Sequence, residues 1–264
     1  MADHELELTA GPATAVFSAE HGGRLARLAV DGRELLVGPE SDPMRWGSYP
    51  MAPWAGRVRH GRFTFAGVGH RLPITLGPHA IHGTAYDQRW EIVDGGLHLD
   101  LGQPWPFPAR LRQEVDLTES SLRIVMTLAA VVEQPAMLGW HPWFRRQLGP
   151  DGLGPELELH VDPAWMFELG EEMIPTGALI RPGPPPWDNC FELHRPPVLR
   201  WPGQLELTLV TDCPYWTIYT EPDHALCVEP QTDAPDAFNR RPQVVAAGAE
   251  LSATFELSWR PDAP

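Results

Sequence analysis

An all-β fold built from large antiparallel sheets is the expectation for this chain, and three features of the sequence predict it. Apolar and polar residues alternate over many short segments, no segment keeps a helical period for four turns, and 30 prolines punctuate a chain of 264 residues. Strict alternation sends successive side chains to opposite faces of a pleated strand. Proline lacks the N–H that a helix needs and clashes with the preceding turn, so this many argue against long helices.

Residues 13–19 (ATAVFSA) form the first alternating segment. The stretch 25–37 (LARLAVDGRELLV) alternates on both sides of Asp31-Gly32, a strong signal for a tight hairpin turn. Residues 62–72 (RFTFAGVGHRL) repeat the pattern around Gly67 and Gly69. Segments 97–101, 111–117 and 122–128 alternate strictly, the last two joined by a turn at Glu119-Ser120-Ser121. Residues 205–210, 216–220 and 251–259 complete the set. Two stretches break the rhythm, 43–57 (PMRWGSYPMAPWAGR) and 181–188 (RPGPPPWD). Both read as loops, too irregular for strands, and loops held by a rigid sheet are where binding groups usually sit. No internal repeat, low-complexity linker or composition shift divides the sequence, which predicts a single domain over 1–264.

Composition removes several function classes. A formal net charge of -15 would repel a long polyanion, so no nucleic-acid partner is expected. All 20 cationic residues are arginine, which excludes Schiff-base chemistry on a lysine. Cys190, Cys213 and Cys227 are odd in number, widely spaced and without a C-x-x-C pair. Reduced thiols in a cytoplasmic protein suit that pattern better than a disulfide framework or a zinc site. The start, MADHELELTAG, is acidic, and no apolar run approaches the ~20 residues that span a bilayer, so no membrane partner is expected.

Four polar residues stand in apolar or aromatic surroundings, where an unpaired polar group is costly. His82 lies in AIHGT ahead of a glycine that would let the backbone approach a ligand, and His141 lies in LGWHPWF. Asp188 lies in PWDNCF, and Glu229 ends the apolar run ALCVEPQ. His79 and His82 form H-x-x-H, but on a loop containing Pro78 and with no carboxylate triplet, so no metal is expected. The sequence holds no G-x-S-x-G, no base near Cys190 and no glycine-rich phosphate loop. What remains, a histidine and a glutamate without metal or nucleophile, suits proton transfer at two positions of one small molecule. Eleven tryptophans offer flat surfaces for stacking on a sugar ring.

The motifs APWAGRVRHGRF, AIHGTAYDQRW, GWHPWF, DNCF and CVEPQTDAPDAFN occur in the order and approximate spacing of the aldose 1-epimerase (galactose mutarotase-like) family. The resemblance spans nearly the whole chain and implies a galactose mutarotase-like β-supersandwich with its site in an open cleft on one sheet. It further implies that Arg57 and Asp188 bind sugar hydroxyls and that His82 hydrogen-bonds near the ring oxygen. His141 would be the general acid on that oxygen, and Glu229 the general base on the anomeric hydroxyl. The implied protein is a cofactor-independent isomerase of carbohydrate metabolism, a monomer or homodimer whose partner is a small sugar. This chain departs from the usual family patterns at Gly56 (commonly A-N-R), Thr84 (H-G-G), and Trp140, Trp143 and Arg145 (N-H-P-Y-F-N). Related hexose-6-phosphate 1-epimerases tend to carry an arginine soon after H-G; here Tyr86 stands near that place, with Arg89 close by. That activity, and a non-catalytic carbohydrate-binding or sensing domain, are the alternatives.

Overall fold

The computed structural model describes residues 4–149 and 152–262. Its regular structure is almost all antiparallel strand, most of it in two large sheets of eleven and eight strands. The larger sheet runs Glu5–Ala10, Ala13–Ser18, Arg24–Val30, Ser48–Met51, Gly139–Arg145, Ala225–Gln231, Tyr215–Tyr219, Asp188–Leu193, Pro163–Leu169 and Pro175–Ile180, with Arg33–Glu34 beside Arg24–Val30. The smaller runs Glu91–Val93, Gly96–Leu101, Ala109–Leu117, Ser121–Ala130, Glu250–Pro261, Leu205–Thr211, Val198–Trp201 and Glu158–His160. The one α-helix among the described residues is a single turn, Ala237–Arg240. No helix among them is long and apolar enough to cross a membrane.

Every alternating segment of the sequence is a strand or hairpin. Asp31 (φ 50°) and Gly32 (φ 73°) both take the left-handed conformation that a two-residue hairpin turn needs. The turn in 62–72 is Ala66-Gly67, one residue earlier than the glycine pair suggests, because Phe65 pairs with Val68. In the smaller sheet the alternation becomes one buried and one solvated face, as in Glu250–Pro261. Its inner side chains, among them Leu111, Met126, Leu207 and Phe255, share one apolar cluster with Phe17, Leu28, Trp140 and Leu226 of the larger sheet.

Two expectations need correction. The stretch 43–57 contains a central strand, Ser48–Met51, and the short strand Arg57–Val58. Pro50 hides the first, since proline gives no N–H to a ladder. The pairing to Arg24–Val30 is correspondingly reduced to Leu25↔Ser48. In 181–188 the loop ends one residue early, because Asp188 opens the strand Asp188–Leu193. Ser48–Met51, Gly139–Arg145 and Ala225–Gln231, at the centre of the larger sheet, are buried along nearly their whole length. One face of this trio packs on the smaller sheet, as Trp140 does against Phe255, and the other carries the polar candidates.

Candidate active site

Strand register assembles the site. Tyr49 pairs with His141, Thr217 with Glu229, and Cys190 with Thr217. The ladder from Gly139↔Gln231 to Trp143↔Cys227 sets His141 directly across from Glu229. Side chains directly opposite on one face are ~5 Å apart, so Tyr49, His141, Glu229, Thr217 and Cys190 form a continuous row across five strands. Asp188 lies in the next row, paired with Tyr219. Glu229 sits inside its strand rather than at its end, and Pro230 continues that strand opposite Trp216.

Tyr49, His141, Glu229 and Thr217 of this row floor a cleft of about 450 Å³, within the ~300–1,000 Å³ usual for small-molecule sites. Arg57, His82, His141, Asp188 and Glu229 all line it, so the structure gathers every candidate residue into one place. His141 Nε2 and Glu229 Oε1 are 3.2 Å apart, and both side chains are nearly inaccessible, at 7% and 2% exposure. Arg57 Nη2 donates to Asp188 Oδ2 at 3.1 Å nearer the mouth, where both side chains remain about one-fifth exposed.

Each histidine is held differently. The His141 ring is stacked near-parallel to Tyr49 (4.8 Å between centroids) and to Trp143 (5.4 Å), so aromatic faces fix its plane. His82 meets His141 edge-on at 4.9 Å. Its Nδ1 accepts the Gly56 N–H at 3.3 Å, and its own backbone N–H donates to the Gly56 carbonyl. An N–H can only donate, so His82 is neutral with its proton on Nε2. Gly56 has φ 65°, a conformation that favours glycine, and a Cβ there would lie 2.7 Å from Pro235 Cγ. The glycine after His82 serves another purpose than the expected approach of a ligand. A Cβ on Gly83 would lie 1.9 Å from the Ala52 carbonyl oxygen, so Gly83 lets the chain pack on the strand end that leads into Arg57.

Burial drives the central pair toward neutrality from both sides. It pushes the Glu229 carboxyl well above its ordinary range, with Asp188 adding repulsion. It pulls the His141 imidazole down to about 3. Burial thus favours a neutral acid beside a neutral imidazole, with one proton on the carboxyl, over the ion pair. Moving that proton to the imidazole gives carboxylate and imidazolium with the same proton count.

His82, His141 and Glu229 each bring one potential metal-ligand atom within 4.8 Å of the others. A metal-bound histidine donates its second ring N–H to an acceptor. The second nitrogen of His82 accepts instead, and His141 Nδ1 is buried without a protein partner among the described residues. This set lacks the outer support of a metal centre. His79 does not supply it, since both its nitrogens are engaged elsewhere.

Several lining residues escape a reading of the sequence. Tyr49 is hidden in a proline-rich segment that reads as a loop. Thr217 and Tyr219 were recoverable, because alternation around the buried Trp216 and Ile218 puts them on the opposite face. Arg45 and His224 carry no signal in sequence.

A model of the aldose 1-epimerase family matches residues 4–258. The chain belongs to the aldose 1-epimerase family. Among its relatives is the uncharacterised protein YphB of Escherichia coli K12, 24% identical over 245 residues, covering 80% of this chain and 82% of YphB. The fold is similar to a galactose mutarotase-like protein from Clostridium acetobutylicum (TM-score 0.84, 15% identity, 97% and 94% of the two chains). It is also similar to galactose 1-epimerase from Lactobacillus acidophilus (TM-score 0.79, 14% identity, 97% and 94% coverage). At these identities the structural likeness is one of fold. This aldose 1-epimerase family member thus has the galactose mutarotase-like architecture that its motifs imply.

Proposed function

We propose that the protein is a mutarotase that interconverts the anomers of a free aldose by general acid–base ring opening, with no cofactor. The observation that carries this reading is the buried His141–Glu229 contact of 3.2 Å on the floor of an open cleft. Glu229 as carboxylate takes the O1 proton while protonated His141 gives its proton to O5. The C1–O5 bond breaks, O1 becomes a carbonyl, and the pair is left as neutral acid and neutral imidazole. Rotation about C1–C2 presents the other carbonyl face, and the reverse transfers close the ring as the other anomer. Both forms of the pair hold one proton, so the neutral form matches the open aldehyde and the ionic form matches the ring. His82 contributes a neutral Nε2–H donor, and the Arg57–Asp188 pair holds hydroxyls.

An unphosphorylated sugar fits better than a hexose phosphate. Both arginines of the cleft are already paired, Arg45 with Asp42 at 3.1 Å and Arg57 with Asp188, while Glu221 adds negative charge. A phosphate would meet no unpaired arginine there. Retention of the His141–Glu229 pair favours catalysis over a purely binding role. Polarimetry of freshly dissolved α-glucose and α-galactose should show accelerated mutarotation that millimolar inorganic phosphate leaves unchanged. Turnover of a sugar phosphate alone, with inhibition by phosphate, would transfer the assignment to the phosphate epimerases; binding without turnover would make this a carbohydrate-binding domain.

Two further outcomes follow from the site. Asp188→Asn should raise KM about tenfold with kcat changed less, since a carboxylate that holds Arg57 and sugar hydroxyls contributes similarly to ground and transition states. Equal losses in kcat and kcat/KM would place Asp188 in the chemistry. The pH profile should also be broad. Below about 3 His141 takes a second proton and the pair loses its base. As pH rises past the elevated Glu229 value, the pair loses its only proton and hence its acid. Between those limits the proton count is constant, so kcat/KM should stay flat from above about pH 3 until the elevated Glu229 value is passed. A narrow bell confined between the ordinary values of about 4.3 and 6.5 would refute the burial argument.

A further inference from the structure

His79 of the H-x-x-H pair lies outside the cleft that His82 lines. Arg57–Val58 and Ala80–Ile81 form a two-stranded ribbon, Arg57↔Ile81 and Val58↔Ala80, that carries Arg57 and leads into His82. An imidazole closes each end of it. At one end the Gly56 N–H donates to His82 Nδ1 at 3.3 Å, and at the other the His60 N–H donates to His79 Nδ1 at 3.1 Å. His79 is 2% exposed and is not part of the cleft lining. Since its Nδ1 accepts, its proton is on Nε2, which donates to the Glu172 carbonyl at 2.9 Å. Glu172 lies at the tip of the hairpin formed by Pro163–Leu169 and Pro175–Ile180. The His60 ring stacks on His79 at 5.5 Å, and its Nε2 is 2.7 Å from Glu172 Oε2.

Backbone strain gathers at these same contacts. His60 (φ 51°), His82 (φ 60°), Glu172 (φ 58°) and Met173 (φ 61°) are all left-handed without being glycine. Such residues persist where surrounding contacts over-determine them. Two of the four, His60 and Glu172, are His79's own hydrogen-bond partners, and a third, His82, closes the far end of the same ribbon. A ribbon with two paired positions has little stiffness of its own, so the contacts at its ends, with the Asp236 N–H on the Arg57 carbonyl and Thr75 on the Ile81 N–H, set where Arg57 and His82 stand.

We infer that His79 is a positioning residue: by locking the ribbon to the His60 N–H and bolting it to the hairpin tip, it fixes His82 and Arg57 in the cleft. The inference rests on the mutarotase reading for its kinetic arm. His79→Ala should lower kcat/KM by about thirtyfold, with losses in both kcat, through His82, and KM, through Arg57. Measurement belongs well below the unfolding midpoint, so that fold loss does not contribute. Two conservative variants separate the bonds. The side-chain oxygen of His79→Asn can accept at the Nδ1 position, and the amide of His79→Gln can donate at the Nε2 position. If the ribbon lock is what positions the site, Asn should recover most of kcat/KM and Gln little.

Amide exchange gives a readout that needs no substrate. The Gly56 N–H, at the far end of the ribbon, should exchange at least tenfold faster in His79→Ala and near the wild-type rate in His79→Asn. Should wild type turn over no sugar, the mutarotase reading fails while Gly56 exchange still decides the clip. Should His79→Ala not fold, the Asn and Gln variants decide it. Wild-type kcat/KM and unchanged Gly56 exchange in His79→Ala, or recovery by Gln and not by Asn, would overturn the inference.

Discussion

Glu229→Gln should cost about 10²–10⁴ in kcat, the usual contribution of one general base, and at the same time raise the thermal midpoint. The amide keeps the shape of the side chain and its capacity to hydrogen-bond, but it cannot take the O1 proton. Sugar affinity should change little, because the cleft keeps Arg57, Asp188 and His82. The gain in stability comes from the burial that tunes the residue. Glu229 Oε1 has only His141 close by, and Oε2 is buried without a protein partner among the described residues. Its pKa is raised by burial in the folded state. The unfolded chain therefore releases this proton first as pH rises, and stability falls from the ordinary carboxyl value upward to the elevated one. Glutamine removes that penalty, so the midpoint should rise at pH 8 and match wild type near pH 4. A kcat within about twofold of wild type on the best sugar would end the proposed mechanism. An unchanged midpoint at pH 8 would show that Glu229 ionises without cost.

The fold was legible because alternation survives in every strand with one solvated face, and because Asp31-Gly32 can scarcely be anything but a tight turn. It failed at Ser48–Met51, where burial on both faces removes the alternation and Pro50 imitates a loop. That strand carries Tyr49, so the ring stacked on His141 was lost with it. The candidate residues were visible as polar side chains amid aromatic and apolar neighbours. Their geometry was not, since His141 and Glu229 meet through strand register, which no local pattern encodes. Their protonation was the least legible feature. Ordinary pKa values would make Glu229 the carboxylate and His141 the imidazolium only in a narrow interval, whereas burial reverses the order and leaves one shared proton. The purpose of the His79-x-x-His82 spacing was equally hidden, because it serves a ribbon that the sequence alone does not show.

Replacing His141 tests the other half of the transfer. His141→Asn removes Nε2, the atom 3.2 Å from Glu229 Oε1, together with the ring stacked beside Tyr49 and Trp143. With no acid on O5, the leaving oxygen would have to depart as an alkoxide, and kcat should fall by about 10²–10⁴. The low-pH limb near about 3, which belongs to His141, should vanish from what activity remains. The double variant His141→Asn/Glu229→Gln is the sharper measurement. Both residues act on one transition state, and either single change already removes the concerted exchange of protons between O1 and O5. The double variant should therefore lose far less than the product of the single losses. Strict multiplication of the two losses would mean independent contributions, and the 3.2 Å contact would then be a feature of packing rather than of chemistry.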